Sequence, residues 1–579
     1  MSKENKQSFM QGIMTLIFSQ IIIKILGLIY KLYLTNKEGF GDVGNAIYNS
    51  GFQIYALILT ITSIGVPNAL AKLISEKLSL GDKQGVEKIF KVALAFFSVI
   101  GFIGSMLLFF GSEFIANNLL QIKEAKLTLM ILAPAIFFES LIAVYRGYFN
   151  GYENMKPMAK SQTIEQFIKT TFTIIIVEML CGFLNNKENI EKMAAGANLA
   201  NTIATFTSFM YLTYLYKKKK KSDFKDKRYE ANQKNKNLSI KQIVKSIIVI
   251  AMPLTISAIL GTLNKNIDSL TVVRGLKTFM SEEKAKIEYG ILSGKIDTLV
   301  TFPLSFNIAF STALIPAISA DKAKRNYKNI EKRILFSILV TILIGLSCSV
   351  GMFIFAKPIL EMLFPNASSG EFLYKISSLS IIFITLEQTI NGALQGLGKI
   401  DIPVKALSVG VLVKLILNLI LVRINPDTFI FGGAAGAALA TVICHIISMT
   451  ISFISLKKNI NIKLNVSKFI IKPIIANLFM GISSLCIYNY LSSIIIPNVA
   501  IIVTIVFAAI AYIISLMVIK IFEKDELYML PFYSNFSKKT KTLREKTLWK
   551  KIYKKKEGFY QRLANNVNSR CIKIYIYKY

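Results

Sequence analysis

FMQGIMTLIFSQIIIKILGLIYKLYL, residues 9–34, decides what kind of molecule this is. Apart from two lysines the stretch is close to hydrocarbon in character, and it exceeds the roughly 20 apolar residues a helix needs to cross a bilayer. Lys24 and Lys31 stand seven positions apart, close to two helical turns, so they project from one face. A cation near the middle of a membrane helix costs at least about 2.5–3.5 kcal/mol, so such residues usually face a water-filled interior or a partner. A transporter with an anionic cargo needs such a face.

The rest of the chain repeats the pattern. Of 579 residues, 53% are hydrophobic, and they fall in apolar runs of about 20 residues separated by short polar segments. Lipid-exposed backbone must satisfy its own hydrogen bonds, so the fold class is an all-α, polytopic membrane protein. About fourteen spans are predicted, at 9–34, 47–69, 89–111, 127–149, 161–184, 193–216, 244–266, 289–316, 334–356, 373–396, 402–422, 430–456, 469–491 and 497–521. The MSKENKQS leader has no small-residue cleavage site, so span 1 reads as an uncleaved anchor.

A net charge of +35 invites a nucleic-acid reading. The positive-inside rule accounts for it better: with an even span count and a cytoplasmic N-terminus, about 50 of the 69 lysines and arginines fall on the cytoplasmic side. The basic segments 70–91, 146–160, 217–245, 321–333, 457–472 and the tail from Glu523 alternate with nearly neutral loops. Both termini are therefore expected in the cytoplasm of a cell carrying this protein in its plasma membrane, with no nucleic-acid partner. Five scattered cysteines form no CxxC pair, and the single histidine, His445, excludes a multi-histidine metal centre. A proton-carrying role for His445 ranks below a structural one. No cofactor is expected, and no GxxxxGK[ST] sequence offers a nucleotide site.

An internal repeat is visible. Span 4 ends in RGYFNGYENMKP (146–157) and span 10 in NGALQGLGKIDIP (391–403), each with two glycines four apart followed by a proline. Span 2 ends in GVPNALAKLISE (65–76) and span 8 in ALIPAISADKAK (313–324). The offsets run from 245 (Gly147 to Gly392) to 249 (Pro67 to Pro316), and partners are six spans apart, an even offset, so the copies share one orientation. Parallel repeats imply two six-helix bundles related by an axis along the membrane normal, with a site between them. The expected domains are 1–216, a basic cytoplasmic linker 217–242, a second bundle 243–456, two additional helices within 457–522, and a basic tail 523–579. The linker reads either as a lipid-headgroup contact or as a solvated, topology-setting loop. The tail, with the only tryptophan, Trp549, reads as a surface-lying helix.

Two sets of intramembrane polar residues emerge. The cationic set is Lys24, expected near the midplane, with Lys31, Lys265 and Lys295 nearer the outer leaflet. Spans 1, 2, 7 and 8 are expected at the bundle interface, where four cations form a funnel that concentrates anions. For Lys31 and Lys265, snorkelling to the headgroups is the competing account. The mixed set is Glu139, Glu165, Lys169, Glu387 and Lys414. Glu165 and Lys169 are expected to neutralise each other as an i, i+4 pair. Glu139 and Glu387 precede the two-glycine motifs and read either as architectural or as a proton or cation site. Asp268 is expected to hold Lys265, one turn away, while Asp297 faces away from Lys295.

The segments KILGLIYKLYL (24–34), GVPNALAKLISEKLSLGD (65–82), RGYFNGYENMKPMAKSQTIEQFIK (146–169), YGILSGKIDTLVTFPLSFNIAFSTALIPAIS (289–319) and NGALQGLGKIDIPVKA (391–406) carry a family likeness. Over residues 9 to about 520 the chain resembles the lipid II flippases and the stage V sporulation protein B-like polysaccharide-export proteins. These belong to the multidrug/oligosaccharidyl-lipid/polysaccharide flippase superfamily. The segment 146–169 points to the sporulation-protein and Gram-positive flippase branch. The resemblance implies a cavity lined by spans 1, 2, 7 and 8, whose basic residues meet the diphosphate of an undecaprenyl-linked saccharide. Lys24, Lys31 and Lys295 would take those positions, and spans 13 and 14 would shape a groove for the lipid tail. Lysine in place of the family's usual arginine keeps the charge but loses the bidentate fork.

The expected function is therefore a non-enzymatic flippase moving such a lipid from inner to outer leaflet. It would act as a monomer among membrane lipids, driven by membrane potential or a coupled ion. A cation-coupled multidrug exporter of the same superfamily would instead want acidic residues lining its cavity. A membrane glycosyltransferase or polymerase would want substantial outer loops, and a scaffold would leave the embedded lysines without a purpose.

Overall fold

Backbone amides surrounded by hydrocarbon have no water to bond, and helix is the only regular structure among the described residues. The computed structural model describes residues 9–183, 189–225, 239–460, 462, 464–523 and 526. The leader, the 226–238 part of the linker, and the tail with Trp549 and Cys571 lie outside the described residues. The chain divides after Tyr512 into two units.

The first part of the chain supplies α1 (Phe9–Asn36), α2 (Gly41–Ser63), α3 (Val66–Ser79), α4 (Lys83–Phe114), α5 (Ala125–Gly151), α6 (Lys156–Phe183) and α7 (Asn189–Lys225). The second supplies α8 (Ile240–Leu276), α9 (Glu282–Gly290), α10 (Asp297–Ala323), α11 (Tyr327–Ile354), α12 (Ala356–Leu363), α13 (Glu371–Ser378), α14 (Ser380–Gly396), α15 (Asp401–Leu421) and α16 (Gly433–Asn459). α17 (Lys472–Ser492) and α18 (Pro497–Val518) follow. Local chemistry sets several starts. The Asp82 carboxylate accepts from the Gly85 amide ahead of α4, and Ser239 forms a capping box with Gln242 ahead of α8.

A helix lies at every predicted span. Among the described residues ten stretches are long and apolar enough to cross a membrane. Two spans are subdivided: span 2 between α2 and α3, just before Pro67, and span 10 at Leu379 between α13 and α14. Span 8 begins with a π-helical turn, Ile291–Ile296, before α10.

The sequence repeat has a packing counterpart. α5 lies on α3, and a side chain added at Gly151 would meet the Ile74 Cβ at 2.7 Å. α14 lies on α10 in the same way, with the Gly396 position 2.8 Å from the Ile318 Cβ. Thus each two-glycine motif packs against the proline-marked helix of its own copy. Small residues here let two backbones approach closely, the main route to helix association where lipid offers no hydrophobic drive. Gly151→Leu and Gly396→Leu are each expected to lower stability by about 1–3 kcal/mol. Gly351→Ala, which faces open space, should be neutral; thermal melting of the detergent-solubilised protein reads all three.

Candidate functional site

Five helices, α8, α10, α14, α15 and α16, surround a chamber of about 410 Å³. Its polar lining is unusually charged for a space inside membrane helices. α8 contributes Asn264, Lys265 and Asp268, α10 contributes Asp297, α14 contributes Glu387 and Asn391, α15 contributes Lys414 and α16 contributes His445. Leu292 and Ile296 of the π-helical turn, with Val300 and Leu304 of α10, form an apolar wall. Gln53 of α2 reaches the chamber from the first part of the chain.

The charges pair between helices. The Lys265 ammonium lies 2.7 Å from Asp297 Oδ2, both side chains being half exposed. Lys414 is buried and donates to Asp268 Oδ2 at 2.7 Å and to the Asn264 carbonyl at 2.6 Å. Asn418 donates to the other Asp268 oxygen at 2.9 Å. His445 Nδ1 stands 2.7 Å from Glu387 Oε2, Ser448 donates to Glu387 Oε1 at 2.5 Å, and Asn264 Nδ2 stands 3.1 Å from His445 Nε2.

The cations of α1 approach from the side. Lys24 is exposed and lies within Coulomb range of Lys265 and Asp297. Lys31 is buried, donates to Asn49 Oδ1 at 2.7 Å and sits 4.3 Å from the Tyr48 ring centroid. Lys169 is also buried, 4.3 Å from the Phe52 centroid and 5.5 Å from that of Tyr30. Aromatic faces stabilise desolvated ammonium groups by about 2 kcal/mol or more.

Four expectations about placement are corrected. Lys295 does not line the chamber: its fully buried ammonium contacts Asp42 of α2 at 3.0 Å and the carbonyls of Ala367 and Ser369 at 2.6 and 2.9 Å. It ties three chain segments at one end of the helices, where a Cβ on Gly290 would overlap the Asp42 carbonyl. Asp268 holds Lys414 rather than Lys265, whose partner is Asp297. Residues three apart on one helix compete poorly with a partner presented face-on by the next helix. Glu165 and Lys169 do not neutralise each other, because Arg146 of α5 reaches Glu165 at 2.7 Å and Glu139 at 3.7 Å. The four cations do not form one funnel: Lys24 and Lys265 are near the chamber, Lys31 is enclosed beside α2, and Lys295 lies elsewhere.

Of the expected supporting residues, Asp268 and Glu387 line the chamber, whereas Glu139, Glu165 and Lys169 belong to the first part of the chain. Sequence reasoning missed Asp42 and Arg146 as partners. Arg146 stood inside a quoted motif, but Asp42 gave no signal. Among the described residues no group of three or more histidine, cysteine, aspartate or glutamate side chains is placed to hold a metal ion.

A family model described as polysaccharide biosynthesis protein matches residues 9–322, more than half of the chain, and a MatE model matches residues 295–420. Stage V sporulation protein B of Bacillus subtilis (strain 168) is 26% identical over 91% of this chain and 98% of its own length. Lipid II flippase MurJ of the same organism is 27% identical over 78% of this chain and 82% of its own. A solved structure of a lipid II flippase MurJ in an inward closed conformation superposes with a TM-score of 0.65 at 19% identity, covering 86% of this chain and 97% of that one.

Removing one member of a buried ion pair strands the other, which costs about 3–5 kcal/mol. Lys414→Met is expected to destabilise by that amount. Lys414→Met combined with Asp268→Asn should recover at least half of the loss, as read by melting in detergent.

Proposed function

As the chain belongs to the polysaccharide biosynthesis protein family and is a multi-pass membrane transporter, we propose that it flips an undecaprenyl-diphosphate-linked saccharide from inner to outer leaflet. The observation that carries this is the approach of Lys24, from α1, to the side of the chamber where Lys265 stands. A saccharide–diphosphate headgroup cannot cross hydrocarbon unaided. A hydrated chamber bordered by ammonium groups lowers that barrier while the polyprenyl tail remains in lipid.

Residues 1–216 and 243–456 serve as the two rocking bundles, linked by the basic segment 217–242, with both termini cytoplasmic and the protein acting as a monomer. In that orientation the Lys295–Asp42 contact lies at the outer end and holds it shut. Moving one negative charge outward through an inside-negative potential is favourable by about 2.3 kcal/mol per 100 mV, so potential alone can drive the step.

Three carboxylates in the chamber, Asp268, Asp297 and Glu387, favour a second reading, export of an organic cation. One experiment separates the two. Proteoliposomes holding the full-length protein are loaded with fluorescent lipid II, a teichoic-acid precursor or ethidium, and leaflet or lumen accessibility is followed under an imposed potential. Potential-dependent flipping of a lipid-linked saccharide is expected, reduced at least about tenfold by Lys24→Ala or Lys265→Ala and largely retained in Lys24→Arg. Ethidium transport without lipid flipping would reverse the assignment.

A further inference from the structure

We infer that His445 and Glu387 form a proton-binding site that sets the charge of the chamber and thereby its affinity for the anionic headgroup. The inference deepens the flippase reading and rests on the chamber being the headgroup site.

Three observations carry it. His445 is the only histidine of the chain, and it lies within the chamber lining rather than in a loop. Histidine is the one side chain whose ordinary titration falls between pH 5 and 8. Second, the charges of the lining are closely matched: Lys265 and Lys414 face Asp268, Asp297 and Glu387. With a neutral imidazole the walls carry one net negative charge, and a proton on His445 cancels it. Lys24 acts from α1, so the loaded chamber is positive overall and receptive to a diphosphate.

Third, the hydrogen bonding accommodates both states. In the neutral form Nδ1–H donates to Glu387 and Nε2 accepts from Asn264 Nδ2. The loaded form needs an acceptor at Nε2. Asn264 Oδ1 is buried without a hydrogen-bond partner, and half a turn of that amide presents it to the imidazolium. Asn264 also gives its backbone carbonyl to Lys414, so the switch touches the second ion pair of the chamber.

The charged groups around His445 are these. α14 presents Glu387, α15 presents Lys414 and α8 presents Lys265 and Asp268. Across the chamber α10 presents Asp297. α13 reaches the lining only through Ser377, its Lys375 and Glu371 being paired with each other at 2.6 Å. On α16 itself the nearest charges, Lys457 and Lys458, lie in the last turn, three turns away. Glu387 is therefore the partner that decides the proton's stability.

Proton and anion then favour one another's binding by the same factor. The test uses full-length protein without a histidine tag, labelled with carbon-13 histidine, which gives one protein signal, and a short-chain polyprenyl-diphosphate sugar whose diester phosphates do not titrate between pH 5 and 9. The signal is expected to move with pH in that window, with its midpoint displaced by at least about one unit in Glu387→Gln. Affinity for the probe should rise about tenfold or more from pH 8.5 to 5.5, with proton uptake on binding, and this pH dependence should vanish in His445→Gln. A signal that stays fixed, or a midpoint untouched by Glu387→Gln, overturns the proton site. Probe binding with no pH dependence overturns the linkage and leaves the flippase reading intact. No binding at any pH overturns both.

Discussion

A charge inside a membrane helix must find a partner, and this constraint organises the second half of the molecule. Lys265 takes Asp297, Lys414 takes Asp268, and His445 takes Glu387. Each pair joins two different helices, α8 to α10, α8 to α15 and α14 to α16, and the Asn264–His445 contact ties the two groups together around the chamber. A buried pair of this kind contributes little net stability against an apolar replacement. Its use lies in specificity: slipping one helix by a residue would strand charges on both sides. In the first half the same problem has a different solution, with Lys31 and Lys169 resting on aromatic rings and Arg146 shared between two glutamates.

That contrast separates frame from interior. Both halves pack a two-glycine helix against a proline-marked one, α5 on α3 and α14 on α10. The contact depends on missing side chains, tolerates no bulk, and recurs in both copies. The polar interiors carry no such equivalence. Glu139 meets an arginine on its own helix, while Glu387 meets a histidine two helices further along. Repetition has preserved what holds the helices at contact distance and released what faces the space between them.

The fold was legible in the sequence because its determinants are local. Apolar run length gives a span, and two glycines four apart give a close crossing, with no knowledge of the partner needed. The likeness of segments 24–34, 65–82 and 146–169 to a flippase family supplied the rest. The site was legible only in kind. Lys24, Lys265, Asp268, Glu387 and Lys414 stood out as charges where hydrocarbon was expected, and the chamber region contains or borders all five. Their partners did not stand out, since Asp268 and Lys414 are 146 positions apart. Choosing Lys265 for Asp268, or Lys169 for Glu165, follows helical spacing but ignores that a neighbouring helix can present a better-aimed group. Lys295 failed for the same reason: nothing in the apolar-to-polar pattern around Gly41–Ser63 announces that Asp42 will meet it.

Lys295 nonetheless belongs to the same physics. Its ammonium has three protons, and Asp42 with the carbonyls of Ala367 and Ser369 accounts for all three. The end it closes is further knitted by Asn36 to the Leu363 carbonyl at 2.8 Å and by Asn366 to the Asn36 carbonyl at 2.8 Å. Parting these segments would leave a buried cation with its partners withdrawn, at a cost of several kcal/mol unless water or an anion replaces them. In the proposed cycle the outer end opens only when that replacement is at hand. If the proposed function holds, an ammonium-built closure suits a cargo that carries phosphate, whereas an organic cation arriving there would meet one more positive charge.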